Sequence, residues 1–253
     1  MKNKKKIIFI KTLMMIFIIG IIVSLVNIII WYFQNKENND IKEELNNLVE
    51  IVDKNNNDDN NLDNEYNINF KELKEKNSDT VAYLSVNNTN INYVVVKGND
   101  NSYYLKHNFN KSNNRSGWIF MDYHNKFDGS DKNIVIYGHN TRDGSMFGTL
   151  RNVIKNNWYS NKENHIITLV SENETMYYQV FSTYSIKVED YYINTEFKDD
   201  NEFDKFVKTL KKRSVYDYKT EVNGSDSILT LSTCTGNGTK RMVLHAKKID
   251  KNN

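Results

Sequence analysis

The 253-residue chain has no proline and a single cysteine, and both scarcities narrow what it can do. One thiol cannot close an internal disulfide, and without a C-x-x-C pair there is neither a dithiol redox motif nor half of a zinc ribbon. Cys234 is therefore either a small buried side chain or a working nucleophile, since free cysteine is among the most buried residue types. No G-x-S-x-G, H-E-x-x-H, complete P-loop or dinucleotide-binding glycine fingerprint occurs, and "GNGTK" has only part of the P-loop spacing. The lack of proline accompanies an excess of Asn, Lys and Asp, a compositional bias that carries no function of its own.

Charge of one sign is also lacking. The 34 basic and 32 acidic residues nearly cancel. Five of the lysines, Lys2, Lys4, Lys5, Lys6 and Lys11, lie within residues 1–33, where there is no acid. Without that segment the chain carries 29 basic against 32 acidic residues, a net of −3, which gives no footprint for nucleic acid.

Long apolar runs are limited to one. Residues 12–33, "TLMMIFIIGIIVSLVNIIIWYF", are 22 uncharged and mostly apolar positions, enough for a helix to cross about 30 Å of hydrocarbon. The lysines ahead of it place a tail of residues 1–11 in the cytoplasm and everything after residue 33 outside, with Trp31 and Tyr32 at the level of an aromatic belt. A cleavable signal peptide has a shorter apolar region and a small-residue cleavage site, and nothing of that kind follows Phe33. The expectation is an uncleaved, single-pass signal anchor in the cell membrane.

Residues 34–66 read as a polar spacer. "DKNNNDDNNLDNEYN" has little to bury, and it lacks the central Gly and closing Glu of an EF-hand loop. Within the spacer, "IKEELNNLVEIV" puts Ile41, Leu45, Leu48 and Ile51 at helical spacing, which predicts a short helix. From residue 67 to 251 the pattern is that of a folded domain. Eight short β-rich runs, at 80–86, 91–96, 117–121, 133–138, 165–170, 176–186, 227–234 and 241–249, predict a barrel or sandwich. One helix interrupts them over 201–214, with Phe203, Phe206, Val207 and Leu210 on one face.

The last two runs frame Cys234. The six residues "TGNGTK" between Cys234 and Arg241 form a hairpin loop, so the thiol and the guanidinium are expected as neighbours across it. A fixed cation beside a thiol favours the thiolate and can hold an oxyanion, although Arg241 at a strand end also suits simple snorkelling. A cysteine nucleophile needs a proton partner. Of the five histidines, His165 and His245 fall in strands and read as structural, and His107 lies in a polar loop. His139 follows the strand "NIVIYG" and leads the candidates, with His124 in "MDYHNKFDG" second.

"TLSTC" (230–234), Arg241 in "RMVLHAK" and "YGHNTRDGSMFGTL" (137–150) together resemble the signature of sortases, the membrane-anchored cysteine transpeptidases of Gram-positive bacteria. The "GHNTRDGSMF" form and the strand-end "HAK" are most similar to class B. The resemblance runs over about residues 75–249 and includes "NTNINYVVVKGNDNSYYL" (88–105). It departs at Val94, where relatives commonly have Pro, and at Ala82-Tyr83, where many have Gly-Trp. The fold it implies is mainly β, an eight-stranded sortase-type β-barrel with flanking helices, preceded here by the N-terminal transmembrane helix.

By the same resemblance His139 matches the family's catalytic histidine, Cys234 its nucleophile and Arg241 its essential arginine. Asn101, Leu105, Tyr137, Tyr192, Ile193 and Ser232 match positions that bind the substrate peptide. No metal or other cofactor is implied. The implied substrates are surface proteins bearing an NPQTN-like or (S/P)PxTG-like sorting signal, cleaved after Thr. The acceptor is an amine of peptidoglycan or lipid II. A surface cysteine peptidase releasing its product to water is the alternative enzyme, and a tethered domain with an inert Cys234 is the alternative outside catalysis.

Overall fold

A computed structural model describes residues 2–53, 64–234 and 239–250. The chain divides into two compact units, Met1–Asp40 and Ile41–Asn253. The first belongs to helix α1 (Lys2–Asn46), whose apolar side chains from Ile7 to Phe33 are exposed. That helix is long and apolar enough to be a candidate membrane span.

In the second unit, strands β1 (Val49–Asp53) and β2 (Asn64–Ile68) form an antiparallel ladder from Val49 opposite Ile68 to Asp53 opposite Asn64. This alters the helix expected over 41–51. Ile41 and Leu45 are helical and buried, but the helix ends at Asn46. Beyond it the β-branched Val49, Ile51 and Val52 pair as a strand, and Ile51 is left exposed. Most of the Asn/Asp run, residues 54–63, lies outside the described residues.

After the short helix α2 (Phe70–Lys76) come β3 (Thr80–Val86), β4 (Asn92–Val96), β5 (Phe120–Met121) and β6 (Asn133–His139). Helix α3 (Asn156–Ser160), β7 (Ile166–Val170), β8 (Thr175–Lys187), helix α4 (Asp200–Arg213), β9 (Ile228–Cys234) and β10 (Lys240–Ile249) complete the unit. β3 to β10 are the eight predicted strands. They close in the order β10-β8-β7-β3-β4-β5-β6-β9. The sequence left barrel and sandwich open, and the unbroken ladder from β9 to β10 decides for the barrel.

Two neighbouring pairs are parallel, β4 with β5 and β6 with β9. Parallel strands are normally covered on both faces, which explains the near-continuous apolar run of β6 and the burial of every residue of β9 from Ile228 to Thr233, Thr230, Ser232 and Thr233 included. Every residue of β6 is buried except the last, His139. On the outside of β8, β9 and β10, α4 lays down Phe203, Phe206, Val207 and Leu210 against Phe181, Tyr184, Tyr192, Ile228 and Val243. Asp199 caps this helix by accepting the Glu202 N–H at 2.9 Å, and Lys211, Lys212 and Arg213 occupy its last turn, as the helix dipole favours.

Candidate active site

The register of the parallel pair sets the site. β6 and β9 run in step from Asn133 opposite Ile228 to His139 opposite Cys234, so the two strands end together with the histidine and cysteine backbones side by side. Adjacent strands lie about 4.8 Å apart, which makes these two residues immediate neighbours despite 95 positions of separation. β10 returns antiparallel to β9, with Val243 opposite Ser232. The ladder ends there, and the next N–H, of Met242, donates to the Thr233 hydroxyl at 2.9 Å, one residue from both Cys234 and Arg241. Residues 235–238, most of the expected hairpin loop, lie outside the described residues.

The ring of His139 is fixed from the other side. Its Nε2 lies 2.8 Å from the Leu105 carbonyl oxygen, and a carbonyl only accepts, so Nε2 carries the proton. In the neutral ring Nδ1 then holds the lone pair. Leu105 ends a one-turn helix, Tyr103–Leu105, which Asp100 initiates by accepting the N–H groups of Ser102 and Tyr103. The Ser102 hydroxyl, which donates to Asp100 Oδ1 at 2.7 Å, and these backbone N–H groups hold the Asp100 carboxyl below the usual carboxylate range.

Beside the strand ends is a cavity of about 180 Å³. Its lining includes Asn101, Tyr137, Tyr192, Ile193 and Ser232, five of the six residues expected to bind peptide, together with Arg241. Leu105, the sixth, contributes its carbonyl to His139 instead. Phe120, Val188, Glu189 and Asp190 complete the wall and were not singled out from the sequence. Tyr192 and Ser232 are joined through their hydroxyls at 2.9 Å. Glu189 is tied to Arg213, whose guanidinium also lies 5.2 Å from the Tyr191 ring.

Below the cavity a chain of hydrogen bonds crosses four strands. The Thr230 hydroxyl donates to Asn133 Oδ1 at 2.7 Å, so it must accept from His245 Nδ1, 2.8 Å away. That leaves His245 Nε2 to accept from the Tyr184 hydroxyl at 2.8 Å. Asn133 Nδ2 continues the chain to the Asn194 carbonyl at 2.9 Å, which anchors the turn carrying Tyr192 and Ile193. His245 is fully buried, and desolvation, helped by the nearby Arg213 charge, pushes its pKa down to about 3. It is a neutral structural group, as is the buried His165, whose Nε2 donates to the Tyr159 carbonyl at 2.8 Å.

His107 stacks on Tyr103, with ring centroids 4.0 Å apart. His124, the second candidate for proton partner, is half exposed with Nδ1 2.8 Å from Asp122 Oδ1. Its backbone is not brought beside Cys234, and His139 takes that place. Among the described residues no group of three or more His, Cys, Asp or Glu is gathered to hold a metal ion.

A family model described as Sortase domain matches residues 84–249. The chain belongs to the sortase family. A sortase B of Listeria monocytogenes is 36% identical over 187 residues, covering 72% of this chain and 74% of that protein. The crystal structure of sortase B from Bacillus anthracis in complex with AAEK1 aligns with a TM-score of 0.74 and 29% identity, covering 87% of this chain and 99% of that one. A Staphylococcus aureus sortase B–substrate complex aligns at 0.68 and 34%, covering 72% and 84%, and a sortase B has also been solved with triglycine. This sortase is thus a cysteine transpeptidase of class B type, with the closed eight-stranded barrel of those structures.

Proposed function

We propose that Cys234 is the nucleophile, His139 the proton carrier and Arg241 the oxyanion partner in transferring a surface protein from its C-terminal sorting signal to a peptidoglycan amine. The observation that carries this reading is the shared register of His139 and Cys234, with Arg241 on the adjoining cavity wall. The substrate complex and the triglycine complex of the relatives support a peptide donor and an amine acceptor.

As its proton passes to the free nitrogen of His139, the Cys234 sulfur attacks the carbonyl carbon of the signal's Thr, giving a tetrahedral oxyanion that the Arg241 guanidinium stabilises. The C–N bond then breaks as His139 hands its proton to the departing amine, leaving a thioester. An acceptor amine attacks that thioester, His139 removes the amine's proton, and the sulfur departs as the new amide forms. Asn101, Tyr137, Tyr192, Ile193 and Ser232 form the groove that holds the signal, which is of NPQTN-like or (S/P)PxTG-like type, and Leu105 serves it by orienting His139.

The N-terminal apolar helix anchors the enzyme, with residues 1–11 cytoplasmic and the barrel outside, where sorting-signal proteins and lipid II meet it.

The full chain in detergent, incubated with quenched NPQTN, SPKTG and LPETG peptides, is expected to show a thioester adduct by intact mass that is absent in Cys234→Ala. Added amine should convert the adduct to an amide product. Release only to water would favour a peptidase, and no adduct in folded protein would sink the reading. Arg241→Lys keeps the charge but loses the planar fork, and kcat/KM is expected to fall roughly 10²-fold or more.

A further inference from the structure

Behind the cavity, one residue past the end of β5, lies the carboxylate of Asp122, only 4% exposed at its side chain. Three residues aim polar groups at it. Oδ2 accepts from Asn101 Nδ2 at 2.8 Å and from the Tyr137 hydroxyl at 2.7 Å. Oδ1 accepts the His124 backbone N–H at 2.9 Å and lies 2.8 Å from His124 Nδ1. Asp122 does not itself line the cavity, whereas Asn101 and Tyr137 do.

We infer that Asp122 is a positioning residue that sets the donor and acceptor polarity of the peptide groove. The inference rests on the assignment of Asn101 and Tyr137 to that groove. A carboxylate is acceptor-only, so the Tyr137 proton points back at Asp122 and the hydroxyl oxygen can meet substrate only as an acceptor. Asn101 is fixed by two partners, since its Oδ1 accepts the Tyr123 backbone N–H at 3.1 Å while Nδ2 faces Asp122. Only one orientation of the amide satisfies both, and it leaves one Nδ2 hydrogen to point elsewhere. The pair thus offers a donor and an acceptor, the complement of a peptide group.

An isosteric Asp122→Asn substitution cannot preserve this. The His124 backbone N–H cannot change sign, so the new carbonyl oxygen must stay on its side. The new NH2 then faces Asn101 and Tyr137, which reverses the Tyr137 proton and opposes the Asn101 amide.

The test uses full-length protein in detergent and whichever of the three quenched peptides the wild type cleaves fastest. Asp122→Asn is expected to raise KM about tenfold with kcat changed less than about threefold, as for loss of uniform binding. In an Asn101→Ala/Tyr137→Phe background the same substitution should add less than about twofold. A fall in kcat alone, unchanged kinetics, or an equal effect in both backgrounds would overturn the assignment and leave Asp122 as a structural carboxylate. A second readout needs no substrate. The Asn101 side-chain amide resonances, with slowed hydrogen exchange in the wild type, should shift and exchange faster in Asp122→Asn. If the wild type cleaves none of the peptides, the sorting-signal reading fails, and this amide signal alone decides whether Asp122 orients Asn101.

Discussion

His245 shows how one residue can serve the site from outside it. It does not line the cavity, yet its ring lies edge-on to the wall residue Tyr192 at 6.3 Å and joins Tyr184, Thr230 and, through Asn133, the turn bearing Tyr192. Its pKa in the fold is about 3, against 6.5 for an ordinary histidine. Between those values the unfolded chain binds a proton that the folded chain refuses, so stability is full above about pH 6.5 and falls as the medium is acidified. The slope for one such group is about 1.4 kcal/mol per pH unit inside the window. Thermal unfolding at pH 5.0 and 6.5 should show a lower midpoint at pH 5.0 for the wild type. His245→Gln, which keeps hydrogen-bonding capacity but cannot titrate, should show a smaller difference. A residual slope is expected from His165, whose pKa burial also lowers. Equal slopes in the two proteins would mean that His245 is not held neutral by the fold.

At the scale of the element, β6 has to deliver His139 to a fixed place, and Gly138 is what lets it pass. A Cβ on Gly138 would lie 2.4 Å from Ile119 Cδ1 and 2.7 Å from Phe147 Cγ, and both neighbours are fully buried. Gly138→Ala therefore forces the strand end or its packing to shift. The expected cost is about 1–3 kcal/mol of stability. Because the displaced residue precedes His139, kcat/KM is expected to fall by more than the stability loss accounts for, roughly tenfold or greater in fully folded enzyme. Adding Ile119→Val removes the nearer clashing methyl and should restore part of both. No recovery in the double variant would place the strain elsewhere. Strands such as β6 were legible in the sequence because their apolar runs end at turn residues, and α4 because its four apolar side chains share one face. The ladder of β1 and β2 was not legible. "VEIVD" continues the helical spacing of Ile41, Leu45 and Leu48, and "NEYNI" is short, polar and beyond the Asn/Asp run, so they look like strands only when paired. Asp122 escaped for another reason. Its partners Asn101 and Tyr137 lie 21 and 15 residues away, and only the closed sheet brings three polar side chains to one buried point.

On the scale of the whole molecule, the compact unit starts at Ile41, inside the stretch the sequence reads as spacer. Ile41 and Leu45 are 5% and 2% exposed and belong to the same apolar cluster as Phe70 and Leu73. Helix α1 therefore does not simply end where the apolar run ends. Its last turns carry residues of the domain core, while the side chains from Ile7 to Phe33 are exposed. Two truncations separate these parts. A chain of residues 34–253 loses the exposed apolar segment and should be soluble without detergent, with activity toward peptide retained. A chain of residues 47–253 also loses Ile41 and Leu45. Removing large buried aliphatic side chains costs about 2–5 kcal/mol each, so its unfolding midpoint should fall by roughly 10 °C or more relative to 34–253. Differential scanning calorimetry of the two proteins reads this directly. Equal midpoints would show that the 41–46 turns belong with the apolar helix alone, and that the catalytic domain is bounded later in the chain.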